Sequence, residues 1–234
     1  MIDLNKELRE ILFSEGAELA GVGSLAAAAP EELPLGVSVA VSLPAEVIAS
    51  LPNGPAGIYY DAYFELNRRL DRIVAAGADY LTRSGYRARS QTTAAVREFG
   101  NYRTALPHKT VATRAGIGWI GKCALLVTEQ FGPAVRLSSL TTDAPLSCAE
   151  PIDESRCGSC TACGRACPGH AVSGRLWHVG MDRDEFFDPL ACRKAARKLA
   201  AEKLHQEITL CGRCIAACPY TKRYLNRMRN EPAR

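Results

Sequence analysis

Residues Cys157 to Pro168 read CGSCTACGRACP, and residues Cys211 to Pro219 read CGRCIAACP. The first run spaces three cysteines as CxxCxxC and adds a fourth before a proline, while the second repeats a CxxC and a Cys-Pro ending. Thiolates are the usual ligands of iron-sulfur clusters, and a bacterial two-cluster run is CxxCxxCxxxCP with its last cysteine given to the other cluster. The pair of runs therefore reads as an iron-sulfur signature, and redox chemistry is the first functional hypothesis.

The crossed rule gives an explicit ligand set. Cys157, Cys160 and Cys163 take one cluster with Cys218, and Cys211 and Cys214 take the other with Cys167. The second cluster is then one ligand short, and Cys192 is the remaining cysteine of the region. Zinc also accepts four thiolates from paired CxxC units, but it requires neither the Cys-Pro endings nor the third cysteine of the first run. Each proline has a plainer meaning too, since it turns the chain and removes an amide donor. Gly158, Gly164 and Gly212 would let backbone amides approach cluster sulfurs, and they also suit tight loops.

Working outward, the chain has 234 residues, 47% of them hydrophobic, enough for one large domain or a medium domain with an appendage. Eight of its ten cysteines fall in the cluster-like arrangement, which leaves few for disulfides and points to a reducing, cytoplasmic compartment. The N-terminus, MIDLNKELREILF, reads as an amphipathic helix rather than an export signal. The Ala-rich stretch at 25–29 falls well short of the ~20 apolar residues of a membrane helix, so no membrane partner is expected. A net charge of +4 does not by itself mark a nucleic-acid binder. The basic tail PYTKRYLNRMRNEPAR, with Lys222, Arg223, Arg227, Arg229 and Arg234 against Glu231, could dock an acidic redox partner or a phosphate backbone; a frayed solvated terminus is the commoner meaning.

Periodicity predicts a helix over 2–15 and strands over 19–23 and 36–43, the two strands being sheet neighbours. A long helix over 59–83 should cover one face of that sheet. Further strands are expected at 86–92, 123–128 and 133–142, with a short helix ending at 111–115 and a second long one over 189–205. The fold class is therefore α/β: an N-terminal α/β sandwich-like domain over 1–145, followed over 146–234 by a ferredoxin-like double [4Fe-4S] cluster domain with a basic tail. Cys123 starts an apolar strand and reads as a small buried hydrophobe, and Cys148 in the linker is unassigned.

A second dense signal lies at Leu106 to Leu126, LPHKTVATRAGIGWIGKCALL. Its glycines allow close backbone approach to a ligand, and Lys109, Arg114 and Lys122 supply cations; a tight turn before a strand is the plainer alternative. Together with TTDAPL at Thr141 to Leu146 and the cysteine modules in this order, the segment closely resembles the epoxyqueuosine reductase family, which is related to the reductive dehalogenases. The resemblance runs from about Leu106 to Tyr220 and is strongest at AGIGWIGK and the two cysteine runs.

That resemblance implies an N-terminal α/β domain, a module with two [4Fe-4S] clusters, and cobalamin between them as the site of chemistry. It also implies that Cys192, in DPLACRK, is the missing fourth ligand. Arg114, Gly116, Gly118, Trp119, Gly121 and Lys122 would line the cofactor or substrate pocket. Two departures stand against the family pattern. Tyr102 occupies the place of the aspartate proton donor, and a phenol with a pKa of about 10 is a poorer acid than a carboxyl group. The family's helical region that helps hold tRNA has no counterpart after Tyr220. No DxHxxG motif supplies a lower corrinoid ligand; His108 lies near the expected site, while His170, His178 and His205 read as surface or cluster-domain residues.

The expected function is thus an iron-sulfur oxidoreductase relaying electrons to a corrinoid. One alternative is a ferredoxin-like electron carrier without cobalamin, serving a redox partner protein. Another is a tRNA reductase with a different proton donor. The catalytic residue and the substrate are not legible.

Overall fold

In the computed structural model, residues 3–26 and 33–230 are described. Ile2 of the expected first helix, residues 27–29 of the Ala-rich stretch, and Glu231 and Arg234 of the tail lie outside them. The chain separates into two compact units, each assembled from three stretches. The first contains Met1–Val41, Glu65–Gly118 and Arg136–Asp153; the second contains Ser42–Phe64, Trp119–Val135 and Glu154–Arg234.

The first unit is built on a sheet of β1 (Leu19–Ser24), β2 (Leu35–Ser42), β3 (Ala88–Ser90) and β8 (Val135–Thr142), in the order β1-β2-β8-β3. β1 pairs antiparallel with β2, and β3 pairs antiparallel with β8, so the two expected neighbours do pair. Six consecutive residues of β2 are buried, so the small residues that alternate with its valines are covered as fully as the valines themselves.

Helix α1 (Leu4–Ser14) is started by Asp3, whose carboxylate accepts from the Lys6 amide, and it buries Leu8 and Leu12. The long helix α3 (Gly57–Arg83) packs this layer through Gly77, where an added Cβ would stand 2.9 Å from the side chains of both Leu12 and Leu140. The expected helix therefore lies against the sheet, and its lone glycine is a contact point with α1 and β8.

Helix α4 (His108–Arg114) lies over β1. A Cβ on Gly23 would come within 2.2 Å of the Arg114 carbonyl carbon, and one on Gly21 within 2.4 Å of the Ala115 oxygen. Those neighbours are backbone and cannot swing away. Gly23→Ala should therefore destabilise the first unit by about 1–3 kcal/mol, the usual cost of overpacking, read as a lower urea midpoint with an unchanged slope; an unchanged midpoint would refute this packing.

The second unit is mostly short helices and turns. α2 (Ala45–Ser50) precedes a 3-10 turn at Leu51–Asn53, and β6 (Trp119–Ile120) pairs antiparallel with β7 (Leu126–Val127). The strand expected over 123–128 is thus confined to its last part. Cys123 and Ala124 form the turn, with Ala124 at a φ of 58°. α5 (Ala162–Ala166) and α7 (Arg213–Ala217) follow the two CxxC loops and pack on each other. Between them runs α6 (Pro189–Leu204), started by Asp188, whose carboxylate accepts from the Leu190 and Ala191 amides.

The basic tail is not a frayed terminus over its described part but helix α8 (Pro219–Asn230). Tyr224 anchors it. That ring is 7% exposed, meets Phe131 edge-on at 5.0 Å, and its hydroxyl donates to the Leu43 carbonyl at 3.4 Å. Tyr220, Tyr224 and Met228 recur at i, i+4 and i+8 along α8, a helical stripe that the dense charge around it obscures.

Candidate iron-sulfur centre

All ten cysteines are unpaired thiols, and the eight of the two runs and α6 are each half-buried. The internal repeat fixes their equivalences: Cys160 with Cys211, Cys163 with Cys214, and Cys167 with Cys218. Cys163 and Cys214 occupy the second position of α5 and α7 respectively. Cys167 and Cys218 close those same helices in extended conformation, each followed by its proline. Each short helix thus carries one cysteine inside and one at its end, and the crossed rule gives those two to different clusters.

The thiols fall into two electrostatic neighbourhoods. Burial raises the Cys218 pKa, and charge on Cys157 and Cys163 raises it further. Burial pushes Cys192 up to about 11, with Cys167, Cys211 and Asp188 adding to the effect. Cys211 is raised by burial and again by Cys167. Cys218 therefore faces the first run, whereas Cys192 faces Cys167 and Cys211. Among the described residues no three His, Cys, Asp or Glu side chains converge as ligands of a single ion; a cube takes one thiolate per iron and spreads its ligands over separate corners.

The loop before α5 is held from outside. Lys122, 6% exposed, donates from Nζ to the Gly158 carbonyl at 2.8 Å and to the Cys160 carbonyl at 3.0 Å. A Cβ on its neighbour Gly121 would lie 3.5 Å from the Cys157 sulfur. Trp119 is fully buried, with Tyr220 edge-on at 5.0 Å and the Arg156 guanidinium 5.5 Å from its ring centre. Among the described residues, five buried side-chain polar atoms have no protein partner: Ser38 Oγ in the first unit, and Trp119 Nε1, Ser155 Oγ, Arg213 Nε and Thr221 Oγ1 in the cluster-bearing unit. Ser155, Arg213 and Thr221 each lie within three residues of an expected ligand cysteine.

The six residues of the glycine-rich segment divide between the units. Trp119, Gly121 and Lys122 belong to the cluster-bearing unit. Arg114, Gly116 and Gly118 belong to the first, where Arg114 pairs with Asp153 and also donates to the Ile152 carbonyl at 3.2 Å. An added Cβ on Gly116 would stand 2.9 Å from the Glu150 carbonyl oxygen.

The first unit also has a cavity of about 410 Å³, a size ordinary for small ligands. It lies between the edge strand β3 and the hairpin of β4 (Glu98–Phe99) and β5 (Arg103–Thr104), and Val96, Phe99 and Leu106 give it apolar walls beside Arg89 and Arg97. Sequence reading missed this hairpin, whose strands have only two residues each. Tyr102, 41% exposed, is in its turn with a φ of 58°.

His108 starts α4, with Nδ1 2.8 Å from the Ser139 hydroxyl. Burial first, then Arg136, lowers its pKa from 6.5 to about 4, so it is a neutral polar group of the helix-sheet interface. A proton taken up by the unfolded chain but refused by the native one destabilises the fold. Stability should be full above pH 6.5 and fall as the pH drops towards 4, by about 3 kcal/mol. Urea denaturation at pH 7 and 4.5 measures this, and His108→Gln should flatten the dependence; an equally steep loss in that variant would assign it to other groups.

Comparison with known proteins agrees with this geometry. Residues 156–221 match the family described as a 4Fe-4S double cluster binding domain. An epoxyqueuosine reductase of Listeria monocytogenes is 33% identical over 120 residues, covering 48% of this chain and 29% of the relative. A reductive dehalogenase structure, described as suggesting a mechanism for B12-dependent dehalogenation, superposes with a TM-score of 0.70 at 21% identity, covering 91% of this chain and 31% of that one. An epoxyqueuosine reductase solved with an epoxyqueuosine-modified tRNA-Tyr stem loop gives 0.60 at 22% identity, covering 94% and 65%. The chain spans less than a third of the length of its Listeria relative. Residues 156–221 are thus a double [4Fe-4S] cluster binding domain, in a chain that is similar over about half its length to epoxyqueuosine reductases and shares the fold of the reductive dehalogenase structure.

Proposed function

We propose that this chain is an oxidoreductase in which two [4Fe-4S] clusters relay electrons to a corrinoid, and that it works in the cytoplasm, where its free thiols stay reduced. The observation that carries the reading is the split of the half-buried thiols into two neighbourhoods, Cys218 with the first run and Cys192 with Cys167 and Cys211. Cys157, Cys160, Cys163 and Cys218 hold one cluster; Cys167, Cys192, Cys211 and Cys214 hold the other. Residues 146–234 supply these ligands, and residues 1–145 serve the corrinoid and substrate.

When bound, the clusters supply single-electron transfer and the corrinoid supplies the metal centre of the reduction. The protein's part is to fix the ligands and exclude water. Lys122 ties down the first loop, and the Trp119, Tyr220 and Arg156 stack covers that side of the unit. The unpartnered Trp119, Arg213 and Thr221 donors fit a group rich in acceptor sulfur. The cavity at β3 takes the small substrate, its arginines favouring an anionic one. His108 is held by Ser139 through Nδ1 at the helix-sheet interface of the first unit.

Tyr102 favours a second reading, a carrier that passes electrons to a partner protein without binding cobalamin itself. Incubating the anaerobically purified protein with cobalamin separates the two. About one cobalt retained per chain after gel filtration, reducible through the clusters, supports the corrinoid reading; full iron with no retained cobalt supports the carrier. For the tRNA alternative, two cations of α8 already have partners within the unit, Arg223 over the Tyr220 ring at 3.9 Å and Arg227 on the Gln130 carbonyl. Salt-sensitive tRNA binding that is lost when α8 is neutralised would revive it.

A further inference from the structure

Trp119 begins β6 in the cluster-bearing unit, and its ring is fully closed to solvent. Its Nε1–H nonetheless meets no acceptor among the described residues. A buried donor costs free energy unless some group answers it, and in folded proteins such donors are almost always answered. The surroundings of the ring show what could do so. Tyr220, two residues after Cys218, lies edge-on at 5.0 Å. The Arg156 guanidinium, immediately before Cys157, stands 5.5 Å from the ring centre. From Trp119 the chain continues along the β6-β7 ladder, Trp119 opposite Val127 and the Gly121 amide donating to the Leu125 carbonyl at 2.9 Å. Residues two apart on an extended chain share a face, and an added Cβ on Gly121 would lie 3.5 Å from the Cys157 sulfur. Three separate contacts thus set the indole on the side of Cys157 and Cys218, both expected ligands of the first cluster.

We propose that Trp119 is a positioning residue of the first cluster, its indole N–H donating to a sulfur of that cluster or of its ligands and thereby raising that cluster's potential. The inference rests on the cluster assignment proposed above. An indole nitrogen is a donor only, so it needs an acceptor and can be satisfied by nothing else. Bound, the cluster and its thiolates bring acceptor sulfur to a place where the protein offers the indole none. Hydrogen bonds to cluster sulfurs are among the determinants of cluster potential, and a donor stabilises the more negatively charged, reduced state. Tyr220 and Arg156 cover the ring, so water competes poorly for the same N–H and the bond is strong for its kind.

The test uses the full chain, reconstituted anaerobically as wild type and Trp119→Phe, with iron analysis, an EPR-monitored redox titration, and pulsed EPR of protein carrying isotope-labelled indole nitrogen. Phenylalanine keeps an aromatic ring but not the N–H. The variant should retain about eight irons per chain, with one midpoint shifted negative and the other unmoved. The shifted midpoint should be the one that survives Cys192→Ala. Wild type should show an indole-nitrogen coupling on that same cluster's signal, lost in Trp119→Phe although Trp177 remains. Unmoved midpoints, a shift of the other cluster, or a shift without the coupling overturns the inference alone. A wild-type protein without two clusters overturns the cluster assignment and the inference with it. Should phenylalanine deplete iron, the benzothiophene analogue of tryptophan at position 119, of the same shape without the N–H, decides. Full iron with the shifted midpoint upholds the donor role, and iron loss there too makes the ring a packing element and overturns it.

Discussion

Cys192→Ala is expected to remove one cluster and spare the other, lowering iron from about eight to about four per chain, or to about seven if one cube loses only its unprotected corner. This outcome follows from how α6 is placed. Asp188 starts the helix and Pro189 opens it, so Cys192 is held in the first turn. The chain leaving Cys167 and Pro168 runs close to that turn: a Cβ on Gly169 would lie 2.6 Å from the Ala191 carbonyl oxygen. Cys192 thereby shares its surroundings with Cys167 and Cys211 rather than with Cys157. Cys167→Ala should give the same partial loss and the same surviving EPR signal, while Cys218→Ala should leave the opposite one. Cys148→Ser should change nothing, since that residue is exposed and outside both sets. Full iron in Cys192→Ala would refute the ligand set.

Lys122→Met is expected to loosen the first cluster loop and cost about 3 kcal/mol, because hydrogen bonds from a charged donor contribute about 1.5–3 kcal/mol each and two loop carbonyls lose their partner. The site is nearly closed to water, so solvent replaces the ammonium poorly. Loss of the positive charge beside a thiolate-rich group adds to the effect. Iron analysis and urea denaturation of the loaded protein read it: the Cys157 cluster should be depleted first and the midpoint should fall. Arginine is not expected to rescue, since a planar fork cannot follow the contacts of a compact ammonium. Should Lys122 act only on a bound cofactor or substrate, iron content and midpoint would stay at wild-type values.

Different parts of this architecture were readable for different reasons. The cysteine runs announce themselves because a cluster demands fixed ligand spacing, and long elements such as α3, α6, β2 and β8 show because their periodicity outlasts local noise. Boundaries there agree to within a few residues. The β4-β5 ladder and β6 were invisible, since two-residue strands have no period, and of the strand read over 123–128 only β7 forms. Lys122 looked like one more cation of a glycine-rich segment; only the structure shows that it points to the carbonyls of Gly158 and Cys160. Cys123 is buried, as its reading as a small hydrophobe requires. The contacts of Lys122 come from residues 36 and 38 positions later in the chain, and long-range neighbours of that kind have no local signal.

The central claim is that the eight thiols hold two cubes, each completed by a cysteine from the other half of the repeat or from α6. Iron and acid-labile sulfide analysis of the anaerobically purified chain, combined with EPR of the dithionite-reduced state, tests it most directly. The account predicts about eight irons and eight sulfides per chain and two interacting paramagnets. About two zincs in their place, or one cluster of about four irons that is indifferent to Cys192, would contradict it.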